Sequence, residues 1–209
     1  MQIFKYILSP QFHDVQIPSL SYCLSSVKRT FHAIFQLFHV CLFEWVESYP
    51  DDVKSILAAG HDLGNHSENH KNMSQISDDE KRQELMSVHE RVKELTGYEM
   101  FLFRPPYGDY DNAVIRVAEE CGYYPIQWDV DSLDWKNYGV DSIIQTVCNH
   151  KHLGNGSIIL CHNGAKYTAE ALDTLITTLL DAGYEFVPLS ELIIRENYHM
   201  NTEGRQIAD

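Results

Sequence analysis

The sequence predicts an α/β domain in which strands alternate with helices, and three observations carry that prediction. Short apolar runs such as "MFLF" (100–103) and "SIIL" (157–160) are separated by amphipathic stretches of helical length. Glycines and prolines punctuate the joints between them. A chain of 209 residues, 44% hydrophobic and 22% charged, fits one domain of ordinary size with a sizeable core. Repeated strand–helix units imply a parallel sheet or a barrel with helices outside.

The elements run in order from about residue 50. "DDVKSILAAG" reads as a helix ending near Gly60, with Asp51 and Asp52 placed where acids favour the helix dipole. An extended segment, "HDLGN", comes next. Ser77 and Glu80 form the signature of a capping box that opens a long helix, and Gly97 closes it. "MFLF" is a strand stopping at the proline turn "RPPYG", and "DNAVIRVAEECGY" is a helix closed by Gly122. "YPIQWDVDSLDW" reads as a strand, and "VDSIIQTVCNHKHLGNG" as a helix with a glycine-rich stop. "SIILCHNG" is an apolar strand, "TAEALDTLITTLLDAGY" a helix, and "EFVPLSELI" a last strand turning into a helix.

Residues 1–43 behave differently, which divides the chain into an atypical N-terminal segment (1–43) and a main domain (44–209). The first stretch shows no clean period of 2 or 3.6, and Asp14 is its only acidic residue before Glu44. It is either a divergent first βα segment or a stretch that is not the natural partner of the domain downstream, through truncation or a reading-frame error.

Bulk properties exclude several classes. A formal net charge of −14 argues against nucleic acid or an anionic membrane as partner. Five cysteines, an odd number with no C-x-x-C pair, argue against a disulfide framework or a cysteine zinc site. No apolar run is long enough to span a membrane, and the N-terminus lacks the pattern of a signal peptide. The chain is therefore expected to be soluble and unexported.

Polar clusters collect where predicted strands end, and in βα folds those loops build the active site. His66 and His70 follow "HDLGN"; Arg104 to Gly108 follow "MFLF"; Asp131, Asp134 and Trp135 follow "PIQWDV"; His162 follows "SIIL". Each has an ordinary structural explanation when taken alone. "RPPYG" can be a turn with a solvated arginine, "DSLDW" an N-cap with an aromatic anchor, and His162 a histidine at the core edge. His66 and His70, four apart, would share one face of a helix, a spacing that suits a metal. The zinc-protease pattern needs a glutamate directly after the first histidine, and Ser67 stands there instead. Cys161 points to the opposite strand face from its neighbours and reads as core.

Together, "HSENH", "RPPYG", "DSLDW" and "LCH" in that order resemble the polysaccharide deacetylases of carbohydrate esterase family four, which share the chitooligosaccharide deacetylase homology domain. The resemblance runs from about Glu44 to Ile194. It implies a distorted (β/α) barrel with fewer strands than the eight-fold type. It also implies metal-dependent removal of N-acetyl groups from a β-1,4-linked N-acetylhexosamine polymer, chitin-like or peptidoglycan. On that resemblance His66 and His70 are ligands of a divalent metal, Zn2+ first and Co2+ or Ni2+ as alternatives, and Ser67 fixes their loop. The Tyr107 N–H helps form the oxyanion hole, and Arg104 holds the catalytic base. His162 protonates the leaving amine, and Asp134 orients it, which implies a hydrogen bond between the two. Pro105, Pro106, Trp135 and Leu160 line the groove and the acetyl pocket. The implied partner is an acetylated glycan, the chain a monomer, and the setting extracellular or at the cell envelope, as is usual for the family.

One family motif has no counterpart. The family's Thr-Phe-Asp-Asp strand end supplies the base and the third ligand, yet no Asp-Asp pair precedes Asp51–Asp52. "TFHA" (30–33) copies two letters only, and Asp14 is a lone candidate. A pattern resuming abruptly at Glu44 is what a shifted or rearranged 5′ end would produce, so impaired activity is expected. Arg104, deprived of its aspartate, should turn to solvent or find a substitute carboxylate in the 131–134 loop. Two rivals remain: a catalytically inactive glycan-binding homologue, and a metal hydrolase acting on non-sugar amides.

Overall fold

A computed structural model describes residues 2–10, 38–201 and 204–209, of which 2–10 and 38–41 enter as backbone only. Its centre is a parallel sheet. The strands are β1 (Gln2–Pro10), β2 (Phe38–Cys41), β3 (Asp62–Asn65), β4 (Leu102–Phe103), β5 (Tyr124–Pro125), β6 (Val130–Asp131), β7 (Ser157–Asn163) and β8 (Tyr184–Phe186). Their spatial order is β5-β4-β3-β2-β1-β7-β6, with β8 also pairing β1. All these pairings are parallel, so the strand C-termini share one edge. Within residues 1–43, which the sequence sets apart as atypical, β1 and β2 take central places in the sheet: β1 runs beside β7 from Phe4↔Ser157 to Pro10↔Asn163. Asp14 and the 30–33 stretch lie outside the described residues.

Helices connect the strands as the pattern predicts. They are α1 (Phe43–Ser48), α2 (Pro50–Ala58), α3 (Asp78–Thr96), α4 (Asn112–Glu120), α5 (Val140–Cys148), α6 (Thr168–Asp181) and α7 (Leu189–Leu192). α3 starts on the expected capping box. The Ser77 N–H donates to Glu80 Oε2 (3.0 Å) and the Glu80 N–H donates back to Ser77 Oγ (3.3 Å). It ends at Gly97 in the left-handed region, φ 75°. α4 is capped by Asp111, whose Oδ1 accepts the Val114 N–H at 2.9 Å.

Two expectations change. "YPIQWDVDSLDW" is not one strand but two, β5 and β6, separated by residues 126–129. The chain also closes with an antiparallel hairpin, β9 (Tyr198–Met200) with β10 (Gln206–Ala208), that periodicity did not mark. A cavity of about 450 Å³ opens beside the 126–129 link, with Tyr110, Tyr124, Trp128 and Arg205 in its wall.

The core divides by strand face. Ile159 and Cys161 of β7 pack with Ile143, Leu172 and Leu175 from α5 and α6. Leu160, on the opposite face, packs with Leu102, Ile126 and Leu189. The period of two therefore turns Cys161 into the core, as expected, and carries His162 on the face of Leu160. A further cluster joins α1 to α4 through Val46, Ile56, Leu63, Leu85, Val88 and Val114. Among the described residues no helix is long and apolar enough to cross a membrane.

Candidate active site

Every candidate motif sits at the C-terminal edge of the parallel strands. His66 follows β3, Arg104 follows β4, Asp134 follows β6, and His162 is the penultimate residue of β7.

His66 is fully buried, and its Nδ1 lies 2.6 Å from the carbonyl oxygen of Arg104. A carbonyl only accepts, so Nδ1 carries the proton and the lone pair lies on Nε2. That Nε2 stands 3.2 Å from Nε2 of His70. Two nitrogens at 2.0–2.1 Å from a tetrahedral ion are about 3.3–3.4 Å apart, so the pair has ligand spacing. Burial first, then the positive charge of Arg104 and the neighbouring His70, pull the pKa of His66 well below its ordinary value. The ring is thus held neutral, the form a metal requires.

The convergence does not come from a helix. Residues 66–72 are loop, and Ser67 (φ 73°) and His70 (φ 53°) both take left-handed backbone. The helical-face reading of the four-residue spacing is therefore corrected: two reversals in a loop bring the rings together. Ser67 does stabilise that loop, accepting the His70 N–H on its Oγ at 3.0 Å. Among the described residues no three His, Cys, Asp or Glu side chains gather as a metal site. Two histidines would fit a divalent ion as part of a donor set if Arg104 Nη2, which takes the His66 Nε2 lone pair at 2.8 Å, gave way to it.

Arg104 answers to neither expectation. It is not turned to solvent, being 2% exposed, and it pairs with no carboxylate among the described residues. Its Nη2 donates to His66 Nε2 at 2.8 Å, its guanidinium lies 5.7 Å from the Trp128 ring, and its buried Nε has no hydrogen-bond partner. Burial draws its pKa down to about 9. A buried cation so poorly matched is costly.

The turn after Arg104 is rigid. Pro105 and Pro106 are buried, and Tyr107 takes φ 59°. The Tyr107 ring is exposed and meets His70 edge-on at 4.5 Å. Gly108 has φ 66°, and a Cβ there would stand 2.7 Å from a Trp128 ring carbon. Asp109 clamps the turn to Ser74 through the Ser74 N–H (2.9 Å) and hydroxyl (2.8 Å).

His162 and Asp134 are joined as the resemblance implies. Nδ1 of His162 donates to Asp134 Oδ1 at 2.7 Å, and the His162 backbone N–H donates to Oδ2 at 2.7 Å. Thr168, which the sequence reading passed over, donates its hydroxyl to the same Oδ2 at 2.7 Å. Burial acts to raise the Asp134 pKa. The His162 bond and charge, the Thr168 hydroxyl and the His162 N–H outweigh it, and the carboxyl titrates below its ordinary range. Trp135 is half exposed and Leu160 is buried. Asp131 turns back to accept the Leu133 N–H at 2.9 Å. Asn65, Glu84 and Tyr123 also escaped the sequence reading, because nothing local distinguishes them.

These polar groups gather at one edge of a parallel α/β scaffold, and comparison with known proteins gives the class. The polysaccharide deacetylase family model matches residues 26–126. Over 153 residues the chain is 37% identical to a peptidoglycan-N-acetylglucosamine deacetylase of Bacillus cereus, an alignment covering 71% of this chain and 70% of that one. The chain belongs to the polysaccharide deacetylase family. Among solved structures it superposes on a pseudoenzyme of carbohydrate esterase family four from Bacillus anthracis with TM-score 0.81 and 27% identity, over 94% of this chain and 67% of that one. A variant of that pseudoenzyme with restored enzymatic activity superposes with TM-score 0.80 and 28% identity, over 91% and 67%. The chain spans a little over half the length of the first curated relatives it matches, 59% and 56%.

Proposed function

We propose that this chain has the build of a metal-dependent N-deacetylase acting on a β-1,4-linked N-acetylhexosamine polymer, with peptidoglycan as the substrate class, on a distorted (β/α) barrel. The observation that carries the reading is the 3.2 Å approach of the His66 and His70 Nε2 atoms on the strand edge that also bears the His162–Asp134 pair. The name of the Bacillus cereus relative supplies the polymer. His66 and His70 would hold a divalent ion, Zn2+ first, which when bound would polarise the amide carbonyl and acidify its water.

The remaining chemistry belongs to the chain's own groups. Asp134 accepts the hydrogen bond from His162 Nδ1 and fixes the ring's orientation, so Nε2 is the atom that serves the leaving nitrogen. The buried Asp134 cannot drift, because Thr168 and the His162 N–H grip its second oxygen. The Tyr107 N–H, on a turn rigidified by two prolines, is the oxyanion donor, a contribution typically worth about 3 kcal/mol. Pro105, Pro106, Trp135 and Leu160 shape the groove.

Turnover of this chain is proposed to be impaired, since no Asp-Asp pair precedes Asp51–Asp52 and Arg104 has no carboxylate among the described residues. The test is deacetylation of acetylated chitooligosaccharides and peptidoglycan with added Zn2+ or Co2+. Weak turnover that falls a further ~10²-fold or more in His162→Asn supports the reading. Robust turnover overturns the impairment. Metal-independent turnover overturns the site. The pseudoenzyme neighbour favours one second reading, a glycan-binding homologue without catalysis. Glycan affinity with no turnover under any metal selects it.

A further inference from the structure

The 66–70 loop holds two non-glycine residues in left-handed backbone, Ser67 and His70. Such conformations cost on the order of 1–3 kcal/mol each and persist only where the surroundings over-determine them. The bond from the His70 N–H to Ser67 Oγ secures the second reversal only if Ser67 is itself in place. What places Ser67 is Asn65, whose Oδ1 accepts the Ser67 N–H at 2.9 Å.

Asn65 is the last residue of β3 and is fully buried. Its amide is used at both ends. Nδ2 donates to the Leu85 carbonyl on α3 (2.7 Å) and to the Tyr123 hydroxyl (3.0 Å). The Leu85 carbonyl can only accept, so the amide cannot be turned round, and Oδ1 is left for Ser67. Tyr123 is 2% exposed, and its hydroxyl lies 2.8 Å from His89 Nδ1. Because Asn65 donates to that hydroxyl, the tyrosine proton is directed to His89, whose Nε2 faces Glu99 at 2.9 Å. A hydrogen-bonded line therefore runs from the surface Glu99 through His89, Tyr123 and Asn65 to the loop that carries the histidines. Glu84, the residue before Leu85, holds the far side of the loop by accepting the Asn69 N–H at 2.7 Å.

We infer that Asn65, buttressed by Tyr123, is a positioning residue for the His66–His70 pair, setting the loop conformation in which the two Nε2 atoms converge on a divalent cation. This rests on the metal-site reading above.

The test uses the full chain as Asn65→Ala and Tyr123→Phe, with Ser77→Ala as a control that weakens the N-cap of α3 and removes no bond to Asn65, Tyr123 or the loop. Co2+ affinity is measured by titration calorimetry, the ligand field by visible absorption, and the melting temperature alongside. The expected result is a roughly 10–100-fold loss of Co2+ affinity in Asn65→Ala, with an altered absorption band. A smaller loss is expected in Tyr123→Phe, and none in Ser77→Ala. Tyr123→Phe removes only a hydroxyl, so it decides the matter if Asn65→Ala fails to fold. Wild-type affinity and spectrum in a folded Asn65→Ala, or in Tyr123→Phe where only that variant folds, overturn the inference. If the parent chain binds no Co2+, the metal reading falls. The inference is then judged on hydrogen exchange of the Ser67 and His70 amides, which must quicken in Asn65→Ala beyond the Ser77→Ala control.

Discussion

Asp134 concentrates three hydrogen bonds and a charge in one buried carboxylate, and its titration has a stated sign. Its folded pKa lies below the ordinary aspartate range, so the unfolded chain takes up a proton there first as the pH falls. The stability it contributes is full above about pH 4 and is lost as the pH drops through the lower folded value. Urea denaturation at pH 5 and pH 3 should show a smaller loss on acidification in Asp134→Asn than in the parent chain. Equal losses would remove Asp134 as a source of acid sensitivity. Gly108 makes a second prediction at this scale. With φ 66° and a Cβ position 2.8 Å from Gln127 Nε2 as well as close to Trp128, Gly108→Ala should cost about 1–3 kcal/mol. An unchanged urea midpoint would show that the turn can relax.

At the scale of the element, α3 does more than cover the sheet. Its capping box starts it, Leu85 and Val88 bury it, and Glu84 and the Leu85 carbonyl reach the histidine loop. Ser77→Ala removes one side of the cap and should destabilise the chain by about 1 kcal/mol, read as a lower urea midpoint with unchanged slope. A changed slope would mean that the cap also governs the compactness of the unfolded chain. The turn from Arg104 to Gly108 works in the opposite sense. It is short and proline-stiffened, and it brings the Arg104 carbonyl to His66 Nδ1 and the Tyr107 ring against His70.

At the scale of the molecule, the parallel sheet delivers four polar segments to one edge. A cation bound there would join β3 to whatever completes its donor set, and ligand binding to the folded state alone raises stability by mass action. At a hundredfold excess over Kd the gain is about 2.7 kcal/mol. Zn2+ or Co2+ should therefore raise the melting temperature, EDTA should reverse it, and His66→Ala should show no response. A metal-induced rise that persists in His66→Ala would place the ion elsewhere.

The sequence by itself determined what depends on short separations. The capping box at Ser77 and Glu80, the left-handed stop at Gly97 and the strand of Ile159 and Cys161 are written in neighbouring residues, because caps and periodicity are local. The placement of the candidate residues was legible too: His66, His70, Arg104, Asp134 and His162 all lie where strands end. The tertiary structure alone decided how they meet. Asn65 finds the Leu85 carbonyl 20 residues away and the Tyr123 hydroxyl 58 away. Thr168 closes on Asp134 across 34. The histidines converge through two backbone reversals instead of a helical face. Such partners leave no periodic trace, since what selects them is the cost of an unpaired polar group in a buried site, and burial is a property of the packed chain.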